Sequence, residues 1–224
     1  MKIEVKNLSF SYERGNGRGN ARGSGQRDAA REVLKGSSAK EALNHSSKEV
    51  LKDVSLSFSD EKPTVLLSPS GSGKTTLLRI LCGFLKPDSG EITGLGKDEK
   101  ISVVFQEDRL FDTMNIYENW RIADPGLSEA EAQQLASELD LAEEVLKEKP
   151  ATLSGGMRRR AAVGRALLYP ARVVLMDEPF QGLDEETRAR VIRTVRERCR
   201  GKALLVITHD PEDAGLLGAD ICRL

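Results

Sequence analysis

Apolar residues along the chain keep two rhythms. In 2–10 (KIEVKNLSF) and 54–58 (VSLSF) they alternate with polar ones, the pattern of strands with one covered face. In 64–67 (TVLL), 101–105 (ISVVF), 172–176 (RVVLM) and 203–208 (ALLVIT) they run on unbroken, as in strands covered on both faces. A helical period follows several of these runs, over 74–84, 156–168, 185–199 and 211–217. Strands alternating with helices predict an α/β fold with a mostly parallel central sheet. The N-terminal strands add an antiparallel β contribution.

Between 107 and 152 the strand rhythm lapses. The stretch SEAEAQQLASELDLAEEVLKEK is rich in Ala, Glu and Leu, and Ser128 with Glu131 makes the capping-box pattern that starts a helix. A small helical subdomain, inserted between two strands, is predicted there. Residues 13–49 keep neither rhythm. They open on the Gly/Arg/Asn tract ERGNGRGNARGSGQR, and REVLKGSSAKE (31–41) is echoed by SSKEVLKD (46–53). This composition predicts a mobile surface insertion, which a fold tolerates at small entropic cost. The whole, 1–224, fits one domain with room for a sizeable core.

Charge and cysteine usage narrow the function classes. Lys+Arg 34 against Asp+Glu 35 leaves a formal net charge of -1, without the basic excess of a general nucleic-acid binder. No nucleic-acid partner is expected. Cys82, Cys199 and Cys222 lie far apart with no metal-ligand spacing, as reduced thiols of a cytosolic protein would. No apolar run approaches the roughly 18–20 residues that cross a bilayer, so a membrane role would run through a partner.

The candidate chemistry starts at LLSPSGSGKTTLLRIL (66–81). It nearly spells G-x-x-x-x-G-K-[ST], with Ser68 in the place of the first glycine, and it lies between an apolar strand and an apolar helix. Ser68, Pro69, Ser70, Gly71, Ser72 and Gly73 would wrap a phosphate with backbone N–H groups, continued by Lys74, Thr75 and Thr76 at the helix N-terminus. Lys74 would neutralise β/γ charge, and the Thr75 hydroxyl would ligate Mg²⁺. Ser68 is expected at the strand exit, where a left-handed backbone would cost serine about 1–2 kcal/mol. A second element, RVVLMDEP (172–179), ends an apolar strand in two acids. Asp177 can hold the metal, and Glu178, pointing differently, can polarise the attacking water.

The stretch TLSGGMRRR (152–160) resembles the LSGGQ-type signature of ATP-binding cassette (ABC) ATPases, the nucleotide-binding domains of ABC transporters. The resemblance covers nearly the whole chain except 13–49. It implies that Ser154, Gly155 and Gly156 meet the γ-phosphate held by an opposite subunit. Gln106 resembles the Q-loop glutamine that touches Mg²⁺ and senses the transmembrane partner. FQGLD (180–184) resembles the D-loop, with Asp184 reaching across a dimer interface. VITHD (206–210) resembles the switch segment, with His209 on the γ-phosphate. Tyr12 resembles the aromatic that stacks on adenine, although the 13–49 insertion starts immediately after it. MNIYEN (114–119) is similar to a stretch that follows the Q-loop in importer-type cassettes. Arg159 stands where a Gln is usual and extends a charged run expected to form a solvated helix face.

The resemblance thus implies a Mg²⁺-dependent ATPase that closes as a homodimer or pseudo-dimer around two ATPs and drives transport through a separate membrane permease. It would lie in the cytoplasm, peripheral on the inner face of the cell membrane. A plain P-loop kinase would need neither LSGGM nor the His209 segment. The alternative is a soluble ABC-type ATPase of a repair or assembly machine. The long coiled-coil insertion of the repair type and the paired cassettes of the ribosome type are both missing from this chain.

Overall fold

The computed structural model describes residues 1–12, 48–69, 71–96 and 98–223. Ten strands and helices carry the site. They begin with β1 (Lys2–Tyr12), β2 (Lys48–Ser59), β3 (Thr64–Leu67) and α1 (Lys74–Leu81), followed by β4 (Ser89–Thr93) and β5 (Ile101–Val104). After the helical stretch come α4 (Gly155–Leu168), β6 (Val173–Asp177), α5 (Glu185–Arg198) and β7 (Ala203–Thr208). The helical stretch itself holds α2 (Ile116–Ala123), α3 (Glu129–Glu138) and two short 3₁₀ turns at Glu143–Lys147 and Pro150–Thr152; α6 (Pro211–Leu217) and β8 (Asp220–Arg223) close the chain's described part.

The strands form two sheets. One is three-stranded and antiparallel, in the order β2-β1-β4; the other has five strands in the order β5-β6-β7-β3-β8. Every ladder of the second sheet is parallel. The unbroken apolar strands are explained by what covers them. Val174 and Met176 join the cluster under α4, α5 and the helical stretch, whereas Val173 and Leu175 face α1 and the antiparallel sheet. A period of two therefore serves two cores, and polar positions find no face to occupy.

The expected insertion at 13–49 lies outside the described residues except at its end, and there the expectation is corrected. Lys48 and Glu49 are strand residues, paired with Tyr12 and Ser11. β2 thus begins six positions before the alternating run VSLSF, within the second copy of the echoed segment. The first copy, 31–41, lies outside the described residues.

In the helical stretch the Ser128–Glu131 capping box forms as predicted. MNIYEN contributes a second one: Asn115 accepts from the Glu118 amide and Glu118 answers to the Asn115 amide. Asn119, fully buried, ties the turn at Phe111 and Met114 to this helix through its side chain. Trp120 packs beneath, its Nε1 donating to the Ala161 carbonyl of α4 at 2.8 Å.

Candidate active site

Four parallel strands deliver their carboxyl ends to one edge. The register sets Leu67 beside Thr208, Asp177 beside Ile207 and Val104 beside Met176. The residues that leave these strands, Ser68, Glu178, His209 and Gln106, therefore emerge in a row, where open α/β sheets bind ligands. A cavity of about 500 Å³ opens there, with Gly71, Lys74, Thr75, Gln106, Glu178 and His209 in its wall. Gly73 and Thr76 also line it, as do Val50 and Gln181, which the sequence reading did not single out.

The loop before α1 is a bare helix start. Gly73 occupies the N-cap with φ 91°, no side chain caps the helix, and no acid sits in its first turn. Such an end presents free N–H groups to an anion. Two constraints hold Gly73: the left-handed backbone and the closeness of β2. A Cβ there would lie 2.6 Å from Leu51 Cδ2 and 2.8 Å from the Val50 carbonyl oxygen. Ser68 is buried and is not among the non-glycine residues with positive φ, so it carries no left-handed strain. Its hydroxyl bonds that of Ser72, and its carbonyl accepts from Lys74 Nζ at 3.2 Å. Pro69 is exposed, and Ser70 lies outside the described residues.

The two acids do point differently. Asp177 Oδ2 accepts from the Thr75 hydroxyl at 3.1 Å. Glu178 Oε1 accepts from Lys74 Nζ at 3.0 Å, and its Oε2 lies 2.9 Å from His209 Nδ1. Both carboxylates are almost fully buried. Burial pushes the Asp177 carboxyl above its ordinary value, opposed by the Thr75 hydrogen bond and the Lys74 charge. Glu178 holds a positive φ of 49°, unusual for a side chain of this size, while its N–H bonds the Ile207 carbonyl at 2.8 Å.

Other predicted residues lie apart. Ser154 caps α4, accepting from the Met157 amide at 3.2 Å, and Ser154 and Gly155 are exposed. None of Ser154, Gly155 and Gly156 lines the cavity. Asp184 caps α5, and the Thr187 amide that it binds at 3.0 Å holds its carboxyl below the usual range. Gly156 packs near Leu183, so the α4 tip and the GLD turn share one surface. Tyr12 is partly exposed at the end of β1; its ring meets Phe10 edge-on and its hydroxyl lies 3.3 Å from Thr76 Oγ1. It stands beside the cavity and outside its wall.

Arg159 does not lie on a solvated face. Only 7% exposed, it turns inward from α4 to the strand end before Gln106. Its Nη1 donates to the Phe105 carbonyl at 2.7 Å and its Nη2 to the Gln106 carbonyl. The sequence signal was a run of three arginines, which a helix must point in three directions. The cysteines are free, and burial pushes all three thiols up to about 11, which leaves them unreactive.

A glycine-rich loop before an uncapped helix, a strand-end glutamate and a histidine around one cavity, with Asp177 beside Thr75, define the class: a P-loop nucleotide hydrolase of the cassette architecture. The chain belongs to the ABC transporter family, whose model matches residues 51–181. It is an ATP-binding and ATP-hydrolysing subunit. The taurine import ATP-binding protein TauB of Pseudomonas savastanoi pv. phaseolicola is 38% identical over 78% of this chain and 72% of its own. The aliphatic sulfonates import ATP-binding protein SsuB 1 of Nocardia farcinica is 40% identical over 75% of this chain and 68% of its own. Among solved structures, a dimeric post-hydrolysis state of the ATP-binding cassette MJ0796, bound to ADP and Pi, superposes with TM-score 0.74 at 25% identity. That match covers 99% of this chain and 94% of the other.

Proposed function

We propose that this chain is the Mg²⁺-dependent motor subunit of an importer, working as a head-to-tail dimer whose two ATP pockets each draw on both protomers. One observation carries the reading. Lys74, Glu178 and His209 form a connected chain of contacts in the cavity wall, while Ser154 and Gly155 stand exposed outside that wall. A second copy brought head to tail would present the bare α4 tip to the cavity, completing a pocket that one copy leaves half built.

The residue chemistry assigns roles. The loop amides and Lys74 hold the triphosphate. Glu178 accepts a proton from water, with His209 orienting its carboxylate and reaching the γ-phosphate. The oxygen donors Thr75 and Asp177, joined by the Gln106 amide from the same wall, fit Mg²⁺, which keeps waters and takes phosphate oxygens for its remaining ligands. Bound there, the ion would neutralise charge building on the phosphates. Such positioning and electrostatics supply most of the catalysis in phosphoryl transfer.

The names of the relatives support transport over a repair or assembly role. Among the described residues no helix is long and apolar enough to cross a membrane, so the path for cargo would belong to a separate permease. Its seat would be the groove of about 340 Å³ between β5 and α2, which Arg109, Phe111, Ile122 and Tyr169 help to line. Phe111 and Ile122 are half exposed there, and Phe84 is 68% exposed. Exposed apolar groups gathered near Gln106 fit a protein partner.

Glu178→Gln tests the reading. It keeps size and an acceptor for Lys74 but loses the charge of the ion pair and cannot accept a proton from water. Turnover should fall by at least about a hundredfold while ATP binding persists, and the protein should elute as a dimer with Mg-ATP. A variant that stays monomeric at saturating Mg-ATP, or that still turns over, would sink the proposal.

A further inference from the structure

We propose that Arg159 is a positioning residue that clamps the Gln106 segment to the α4 tip, so that the groups meeting two different nucleotides move as one body. The inference rests on the ATPase reading above and adds to it a residue that this reading does not use.

The three consecutive arginines go different ways. Arg158 turns back to the Leu153 carbonyl at 2.6 Å with its Nε 3.8 Å from Asp108 Oδ2, and Arg160 reaches Asp140 with bonds of 2.7 and 2.9 Å to its carbonyl and carboxylate. Arg159 goes inward. β5 ends at Val104, so the carbonyls of Phe105 and Gln106 have left the sheet ladder and need donors. The guanidinium fork supplies one N–H to each. Its Nε lies 3.3 Å from Asp108 Oδ1, an oxygen that is buried and makes no hydrogen bond. A single side chain thus grips three points within 105–108.

Burying a guanidinium is expensive, and a buried ion pair commonly adds little net stability over apolar packing. What the fork provides here is geometry. Arg159 stands one helical turn past Gly155, near the tip assigned to the opposite nucleotide, and it holds the backbone from which Gln106 enters its own protomer's cavity. A shift of the tip on dimer closure would therefore carry Gln106 with it, and a permease pressing near Gln106 would move the tip.

The test measures Mg-ATP hydrolysis by the full chain for wild type, Arg159→Met, Arg159→Lys and Arg159→Gln. Met fills the space without donors; Lys keeps the charge without the fork; Gln restores two N–H donors on one nitrogen. Met and Lys should lower kcat about tenfold or more and raise the Mg²⁺ needed for half-maximal rate severalfold, with KM for ATP within about twofold. Gln should recover at least about half the wild-type kcat. Arg159→Met with near-normal kcat and Mg²⁺ requirement overturns the assignment, and so does a kcat loss in all three that tracks a fall in Tm. Asp108→Asn keeps the question open to refutation if Arg159→Met does not fold. It should raise the Mg²⁺ requirement about threefold, and no change overturns the clamp. A wild-type chain without ATPase activity overturns the ATPase reading itself, and this assignment with it.

Discussion

Glu178 stores strain where the chemistry is expected. Its left-handed backbone costs about 1–2 kcal/mol, and the Ile207 carbonyl and the Lys74 and His209 contacts hold it there. The turn aims Glu178 away from Asp177, so neighbouring acids in sequence serve different partners. Gly73 is the complementary case, a place only glycine can fill. Gly73→Ala adds left-handed strain of about 1–2 kcal/mol and drives a Cβ into the β2 backbone. Since Val50 and Leu51 belong to a strand paired with β1, the loop must yield, and it yields in the phosphate cradle. Nucleotide affinity should fall at least about tenfold with Tm lowered only a few degrees. Titration calorimetry with ATP reads this directly, and unchanged affinity would refute the crowding argument.

At the scale of elements, the sequence disclosed what periodicity can disclose. The runs TVLL and ALLVIT are strands over the residues expected, and the helix at 211–217 matches too, because covered strands and a capped amphipathic helix leave unambiguous patterns. β4 and β8 escaped. Both are short edge strands with mostly exposed residues, SGEIT and DICR, and their pairing is set by neighbours rather than by their own pattern. Arg159 escaped for a related reason: charge in a sequence reads as solvent exposure, and burial by backbone carbonyls leaves no local mark.

The helical stretch is fastened by packing and by charge. Gly164 of α4 lies so close to Trp120 that a Cβ would stand 2.5 Å from its Cζ2. Gly164→Ala should destabilise by about 1–3 kcal/mol despite its gain in helix propensity, seen as a lower Tm and altered Trp120 fluorescence. A stability gain would refute the close approach. Glu138 pairs with Arg198 at 2.6 and 3.0 Å, and that hydrogen bond first of all holds its carboxyl below the ordinary 4.5. A depressed carboxylate stabilises the fold above its unfolded pKa and loses that stability as pH falls through the folded value. Arg198→Met should therefore cost up to about 1 kcal/mol at pH 7, the range of partly exposed pairs, and progressively less below about pH 4. Urea melts across that window check the sign; an equal cost at every pH would remove the pair from the account.

Over the whole molecule, a net charge of -1 gives two copies neither strong attraction nor strong repulsion, so association has to come from local features. The exposed α4 tip takes no part in the wall of its own copy's cavity. In the proposed head-to-tail pair each tip serves the other copy's cavity. This geometry predicts complementation between two dead variants. Lys74→Ala damages the cradle of its own cavity, and Ser154→Arg blocks the tip offered to its partner. Each variant alone forms dimers in which both pockets are defective and should show almost no turnover. In an equal mixture, random pairing makes about half of the dimers mixed, and each mixed dimer joins one sound cradle to one sound tip, giving about a quarter of the wild-type rate. The rate should rise with protein concentration at fixed Mg-ATP, as a pocket completed by a second copy requires. A Ser154→Arg chain that is active on its own would show that the tip plays no part. A mixture that stays dead at concentrations where the wild type is fully active would mean that the two halves do not complete one another.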